Sequence, residues 1–149
     1  MLIRYESPLF FLLLRLPEIL IKYAVMKIEV SNGEIVDKLT IIEIKLERIK
    51  DEGKLANLRR EFDVLDSAAA KIISREDPLY KRLFEINSAL WDIEDRIRDL
   101  EKKGDFGSDF IETARSVYYT NDERSEVKRL INNKTGSDLT EEKSYEDYK

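Results

Sequence analysis

Residues 79–100, LYKRLFEINSALWDIEDRIRDL, are the stretch that decides the fold of this chain. Apolar side chains recur there at steps of four and three, at Leu79, Leu83, Ile86, Leu90, Ile93, Ile97 and Leu100. Only a helix brings residues with this spacing into one line. Four further residues flank the stripe: Tyr80, Phe84, Ala89 and Trp91. Because a two-stranded coiled coil needs only a narrow seam, the added breadth predicts contact with more than one neighbouring helix.

Two similar stripes precede this segment. They run from Ile35 to Ile49 and from Leu55 to Ile72, both with helical spacing. Ser31 followed by Glu34 has the spacing of a capping box, so we expect the first helix to begin near residue 32. The sequence therefore predicts two helices ahead of the segment at residues 79–100.

Turn and cap residues mark the boundaries of these helices. We expect Asp51-Glu52-Gly53 to form the break between the first and second helices. Asp77 followed by Pro78 predicts the start of the third helix, because Asp is a favoured N-cap and Pro a favoured first helical residue. Gly104 should end that helix.

The region after Gly104 predicts one or two shorter helices. Ser108 is the expected cap of a fourth helix. Thr120 with Glu123 repeats the capping-box spacing, which predicts a fifth helix or a kinked continuation of the fourth. This last segment should end at Gly136.

The chain as a whole is predicted to be all-α, an antiparallel helical bundle of three long helices plus one or two shorter C-terminal helices. We expect the helical domain to span residues 26–136 and a polar C-terminal tail to span residues 137–149. With 42% hydrophobic and 38% charged residues but only 5 Gly and 3 Pro, the composition favours amphipathic helices over a turn-rich sheet.

Residues 1–25 form an apolar N-terminal extension that differs from the rest of the chain. Arg15, Pro17, Glu18 and Lys22 interrupt the apolar run, which argues against a membrane-spanning helix. Three readings stay open: an upstream start with Met26 as the natural one, a packing or interfacial segment, and a cleaved signal peptide.

The chain contains neither cysteine nor histidine. Disulfides, thiolate nucleophiles, Cys-type zinc sites and histidine-dependent catalytic triads are therefore excluded. A formal net charge of -5 argues against broad nucleic-acid binding. We expect no cofactor, and any enzyme here would have to work with carboxylates, Lys, Arg and Tyr, with Mg²⁺ as the candidate metal.

Three aspartates on one face of the third helix are a weak candidate metal site: Asp92, Asp95 and Asp99. Their carboxylates suit Mg²⁺, but Arg96, Arg98 and Lys102 lie between them at ion-pair spacing. Ordinary surface ion pairs are the favoured interpretation, so we expect no metal site.

The segment 114–128 is the predicted place for a ligand, because many hydrogen-bonding side chains meet there. The candidates are Arg115, Tyr118, Tyr119, Asn121, Asp122, Arg124 and Lys128. Adjacent tyrosines beside an arginine can stack on a planar ligand, and a helix junction favours an anion. The alternative is structural: Tyr118 in the core, Arg115 in an ion pair, and Asn121-Asp122 as helix caps.

Several blocks of the chain resemble one family of unknown function: GEIVDKLTIIEIKLERI from Gly33, LWDIEDRIR from Leu90, ARSVYYTNDER from Ala114, and GSDLTEEKSY from Gly136. Members of that family are small, mostly bacterial proteins. The resemblance covers about Met26 to Tyr145 and implies an all-helical domain, without a reaction or catalytic residues. Two helical enzyme classes fit less well: the acidic motif of all-α nucleoside triphosphate pyrophosphohydrolases and the cationic set of chorismate mutases are not matched.

We therefore expect a cytoplasmic, non-catalytic interaction or assembly protein. Its partners would be a second copy of the chain or another protein, with no nucleic acid, and with a membrane only if residues 1–25 are genuine and interfacial. The alternative is a protein that binds an anionic or sugar-phosphate molecule, or a carboxylate and Mg²⁺-dependent enzyme, with its site near residues 115–128.

Overall fold

The computed structural model of the protein describes residues 27–144, and this part of the chain forms four α-helices. They are α1 (Asn32–Arg48), α2 (Glu52–Ala69), α3 (Pro78–Lys103) and α4 (Ser108–Thr135). The prediction of an all-α fold is confirmed, and residues 27–144 contain no strand. The predicted extension at residues 1–25 and the last five residues of the predicted tail lie outside the described residues.

The predicted caps of α1 and α3 are confirmed. The Ser31 hydroxyl accepts a hydrogen bond from the N–H of Glu34 at 3.3 Å. The Asp77 carboxylate accepts one from the N–H of Leu79 at 3.0 Å. Gly104 ends α3 in the left-handed conformation with φ 66°, which a glycine adopts without steric cost.

The predicted break at Asp51–Gly53 is partly wrong. Asp51 caps α2 by accepting from the N–H of Lys54 at 2.8 Å, so Glu52 and Gly53 form the first helical turn. The break is shorter than predicted because an acidic N-cap allows the new helix to start at once.

Of the two alternatives left open for the C-terminal region, one helix and not two is present, but the prediction that it is shorter than the others is wrong. α4 runs without interruption for 28 residues and is the longest helix among residues 27–144. Thr120 and Glu123 lie inside it, because capping-box spacing also occurs in helix interiors. Its N-cap is Gly107 and not Ser108, and no side chain caps it.

α1 is the central helix of the bundle. It packs against each of α2, α3 and α4, whereas α2 approaches only α1 closely and α3 packs mainly on α4. Ten buried residues form the core: Val36, Leu39, Ala69, Ile73, Tyr80, Leu83, Ile86, Leu90, Val127 and Ile131. Burying one such aliphatic side chain stabilises the fold by about 1.5–3 kcal/mol. The first half of the stripe on residues 79–100 is thus the α3 side of this core.

We define the arm as residues 97–118, which comprise the end of α3, the connecting loop and the first turns of α4. Ion pairs from Arg82 to Glu123 and from Arg96 to Asp109 show that α3 and α4 run in opposite directions. Leu100 is its one buried side chain within the described chain. All its other described side chains are partly or fully exposed.

A polar cluster fixes the linker between α2 and α3. Glu43 of α1 accepts from Arg75 at 2.9 Å and from the hydroxyl of Tyr80 at 2.6 Å. Burial, followed by the neighbouring Glu43 carboxylate, raises the pKa of Tyr80. Arg75 also pairs with Asp66 at 3.0 Å, so the linker is tied to both α1 and α2.

None of the helices α1 to α4 combines the length and the apolar character that crossing a lipid bilayer requires.

Candidate functional site

A buried ion pair joins α1 to α4. Asp37 is 1% exposed, and its two carboxylate oxygens accept from Arg124: Oδ1 from Nε at 2.8 Å and Oδ2 from Nη2 at 2.5 Å. A planar guanidinium matches a carboxylate in this two-point geometry, which gives both strength and fixed orientation. The bond to Asp37 raises the pKa of Arg124. Arg124 therefore stays charged, and its two bonds to Asp37 define how α4 lies on α1.

Two further buried side chains complete the hydrogen bonding of Asp37. Nδ2 of Asn87, on α3, donates to Oδ1 of Asp37 at 2.8 Å and to the hydroxyl of Thr40 at 2.9 Å. The Thr40 hydroxyl in turn donates to the backbone carbonyl of Asp37 at 2.8 Å. Three helices thus meet at one carboxylate, as expected when a charge is buried with full hydrogen bonding.

Lys128 forms a second charged group one helical turn further along α4. Its ammonium lies 2.5 Å from carboxylate oxygens of both Glu34 and Glu141. Burial lowers the pKa of Lys128, but the hydrogen bonds to Glu141 and Glu34 outweigh it and the net pKa is raised. The hydrogen bond from Lys128 lowers the pKa of Glu141. This contact attaches the tail after α4 to the bundle.

The N-terminus of α1 is closed by residues at the end of α4. The N–H of Asn32 donates to the hydroxyl of Ser137 at 3.0 Å, and the N–H of Gly33 donates to Oδ1 of Asn132 at 2.6 Å. Free N–H groups at a helix start are what bind anions. Because these donors have partners within the protein, the start of α1 is a structural joint.

An open groove of about 520 Å³ lies beside the Asp37–Arg124 pair, between α3 and α4 and over α1. Its lining is partly apolar, from Ile41, Leu90 and Trp91, and partly polar, from Asn87, Asn121 and Arg124. Glu94, Asp95 and Arg98 line it further along α3. A groove of this size that combines an apolar wall with a few fixed polar groups has the features of a small-molecule site.

The seven predicted ligand residues do not meet at one place. Asn121 and Arg124 line the groove, while Lys128 belongs to the charged joint with α1 and the tail. Tyr119 and Asp122 line a different cavity of about 550 Å³.

Arg115 and Tyr118 lie on the exposed surface of the arm. Arg115 donates to the hydroxyls of Tyr118 and Tyr119 at 3.2 and 3.0 Å. One helix cannot direct all seven residues to one side, because positions 119 and 122 face away from positions 121 and 124.

The three aspartates of α3 are directed to separate partners. Asp92 pairs with Arg48, Asp95 accepts from Nε1 of Trp91 at 3.0 Å, and Asp99 pairs with Lys103 at 2.5 Å. Across residues 27–144, no three acidic side chains are grouped so that they could hold a metal ion.

Asp37, Thr40, Asn87 and Trp91 were not predicted as site residues. A signal for Asp37 is present in the sequence, because it lies beside Val36 and one turn before Thr40 on a face that is otherwise apolar. Asn87 interrupts the apolar series between Ile86 and Leu90 in the same way. A polar residue at a core position usually has a specific hydrogen-bond partner, which the sequence does not identify.

Comparison with known proteins gives the chain a family. Residues 26–148 match the family described as "Family of unknown function (DUF6165)", and the chain belongs to this family. No curated protein and no solved structure matches the chain.

Proposed function

We propose that this protein is a non-catalytic assembly module of the cytoplasm that pairs with a second copy of itself through the arm. The supporting observation is a second apolar stripe on α4. Phe110, Ala114 and Val117 are half-buried, whereas Ile111 and Tyr118 are 55% and 39% exposed on another side of the helix. A helix with apolar residues on two sides is suited to a further neighbour on its exposed side.

The loop at the tip of the arm extends the exposed apolar surface. Phe106 is 56% exposed and contacts Phe110 edge to face, with ring centroids 5.2 Å apart. Two arms related by a two-fold axis would bury these residues against each other and form a four-helix unit, antiparallel like the bundle itself.

The charges of the arm are compatible with such a pairing. Lys102, Glu101 and Glu112 form no ion pair with any residue in the described range. Because the arm carries free charges of both signs, a copy related by two-fold symmetry can place opposite charges next to each other.

Light scattering on the full chain tests this proposal. We expect a mass of twice the 17.6 kDa of one chain at micromolar concentration. The double variant Phe106→Ser, Ile111→Ser should reduce it to the monomer mass, since it removes the exposed apolar surface. The matched control is Val64→Ser, at a residue of α2 that is 72% exposed, which should leave the dimer intact. A monomeric wild type, or a double variant that remains dimeric, would contradict the proposal.

Binding of a small molecule is the second candidate function, and the groove beside Arg124 favours it. The sequence predicted, as its alternative, a site near residues 115–128. That site would bind an anionic or sugar-phosphate molecule or belong to a carboxylate and Mg²⁺-dependent enzyme. Only Asn121 and Arg124 of that set line the groove. A binding site that also uses Asn87 and Trp91 fits the geometry better than one made by α4 alone.

A further inference from the structure

The groove is lined by an acceptor atom that is held in place and has no hydrogen-bond partner within residues 27–144. Asn87 is 5% exposed, and both hydrogens of its Nδ2 are used, by Asp37 and by Thr40. These two bonds fix the amide, so its Oδ1 cannot exchange places with Nδ2. No donor within residues 27–144 forms a hydrogen bond to Oδ1. Every fully buried side-chain nitrogen or oxygen in this range has a hydrogen-bond partner, so Oδ1 is not one of the fully buried atoms. Oδ1 is therefore accessible, and the groove is the cavity that Asn87 lines.

A donor lies close to this acceptor. Arg124 and Asn87 both donate to Oδ1 of Asp37, which holds the two side chains next to each other. Nε and Nη2 of Arg124 are used by Asp37, while the nearest partner of Nη1 is Oδ1 of Asn121 at the long distance of 3.5 Å. Arg124 is 27% exposed, so Nη1 can donate to a molecule in the groove. Such a molecule would meet a donor from Arg124 and an acceptor from Asn87 in the same groove.

The charge balance of the groove disfavours an anion. Asp37 neutralises Arg124, and Glu94 neutralises Arg98 at 2.6 Å. Asp95 accepts from Trp91 but forms no ion pair with any residue of the described range. When Asp37 behind Arg124 is counted with the charged lining residues, the three carboxylates outnumber the two guanidinium groups by one, which opposes a phosphate and permits a neutral ligand.

The apolar part of the groove suits a flat ring. Trp91, the one tryptophan of the chain, lines it together with Leu90 and Ile41. The Arg48 guanidinium lies 5.8 Å from the centroid of the Trp91 ring and restrains the indole. Aromatic side chains bind planar molecules by offset stacking.

Resting on the second candidate function above, we propose that this groove binds a neutral planar heterocycle with a lactam edge, an N–H next to a C=O. The N–H of the ligand donates to Oδ1 of Asn87, and its carbonyl accepts from Nη1 of Arg124. The ring lies in the apolar part of the groove, against Trp91. Uracil-type and hypoxanthine-type rings have this pattern of donor and acceptor.

Fluorescence of Trp91 provides a direct readout, because no other tryptophan is present. Uridine added to the full chain should quench it saturably, with excitation at the red edge of the indole band, where uridine does not absorb. 3-Methyluridine lacks the N–H that Asn87 would accept and should bind about tenfold weaker, the effect of about 1.4 kcal/mol of lost hydrogen bonding. Equal affinity for the two nucleosides would overturn the proposed role of Asn87.

Two variants on one helix test the location. Asn121→Phe narrows the groove and should weaken uridine binding at least tenfold, at little cost to folding, because the Asn121 amide donates only to its own helix at Val117. Asn133→Phe makes the same exchange at an exposed position of α4 and should bind as wild type does. Identical binding by the two variants would overturn the assignment to this groove.

Uridine 5′-monophosphate separates the ligand class from the binding function itself. The added phosphate should weaken binding. If the monophosphate binds and uridine does not, the groove is a ligand site for anions and the lactam assignment is wrong. If neither probe quenches Trp91 saturably, both this inference and the small-molecule function fail, while the self-association measured by light scattering is unaffected.

Discussion

At the scale of single residues, the Asp37–Arg124 pair has the greatest consequences for this protein. A carboxylate that is almost fully buried needs its partner, because an isolated charge in the protein interior has lost its hydration without compensation. Many other ion pairs of the described chain lie on the surface, where solvent reduces their contribution. The two kinds of pair should therefore respond differently to the same mutation.

Arg124→Ala is expected to lower the free energy of unfolding by about 3–5 kcal/mol, because it leaves Asp37 buried without a counter-ion. The matched control is Arg129→Ala on the same helix, which breaks an exposed pair with Glu126 and should cost less than about 1 kcal/mol. Urea unfolding followed by circular dichroism measures both. Similar losses for the two variants would show that Asp37 does not depend on Arg124.

Gly33→Ala should also destabilise the protein, although alanine favours helices. A Cβ at position 33 would lie 2.6 Å from the backbone carbonyl oxygen of Lys128, where α1 and α4 approach each other closely. Since backbone cannot move as a side chain can, we expect a loss of about 1–3 kcal/mol in the free energy of unfolding.

Gly53→Ala is the control for this prediction. The nearest atom to a Cβ there is a side-chain oxygen of Asp51 at 3.3 Å, and the residue lies in the exposed first turn of α2. We expect no loss, or a gain of up to about 1 kcal/mol from helix propensity. The same urea measurements compare the two, and a Gly33→Ala variant as stable as Gly53→Ala would contradict the close approach.

At the scale of secondary-structure elements, α4 and the tail that follows it act as one unit. α4 continues through the capping-box spacing at Thr120 because a long helix that packs on both α1 and α3 gains more contacts than two short ones. After Gly136, the chain turns back with φ 63° and places Ser137 and Glu141 against α1 and Lys128. The tail thus depends on charges that respond to pH.

The tail contact should be lost in acid. Because the bond to Lys128 lowers the pKa of Glu141 below its usual 4.5, the unfolded chain binds the proton more readily than the folded one. The stabilisation is therefore complete above pH 4.5 and decreases as the pH falls through the lower pKa of the folded state. Glu141→Gln should reduce stability at neutral pH and have no effect in strong acid.

Urea midpoints measured as a function of pH test the role of Glu141. Glu142→Gln serves as the control. Glu142 is exposed, and its interaction with Arg129 is a charge attraction without a hydrogen bond. The Glu142→Gln curve should stay parallel to that of wild type. A Glu141→Gln curve that is also parallel would indicate that the Lys128 contact does not stabilise the fold.

At the scale of the whole molecule, α2, α3 and α4 pack around the central helix α1, and the arm is formed by the end of α3, the loop after it and the start of α4. The apolar stripe on residues 79–100 serves both parts: Leu83, Ile86 and Leu90 belong to the core, and Ile97 and Leu100 belong to the arm. This explains why the stripe is longer than α1 can cover. It also separates the two proposed activities, with the groove near the core and self-association at the arm.

The presence of α1, α2 and α3 and most of the helix ends follow from local chemistry. Periodicity of apolar residues, Ser31 and Asp77 as N-caps, and Gly104 and Gly136 as terminators predict these features, because each acts within a few residues of itself. The continuity of α4 does not follow, since the same spacing of Thr120 and Glu123 occurs at helix starts and inside helices.

The sequence by itself determined an all-α chain with three stripes, four confirmed boundaries, and no cysteine or histidine chemistry. Only the tertiary structure decided that Arg124 turns inward to Asp37 while Arg115 stays on the surface. It also decided that Asn87, on a third helix, donates to the same Asp37 carboxylate. The physical reason is separation along the chain. Asp37 and Arg124 are 87 residues apart, and a contact at that distance depends on how complete helices pack and not on spacing within one of them.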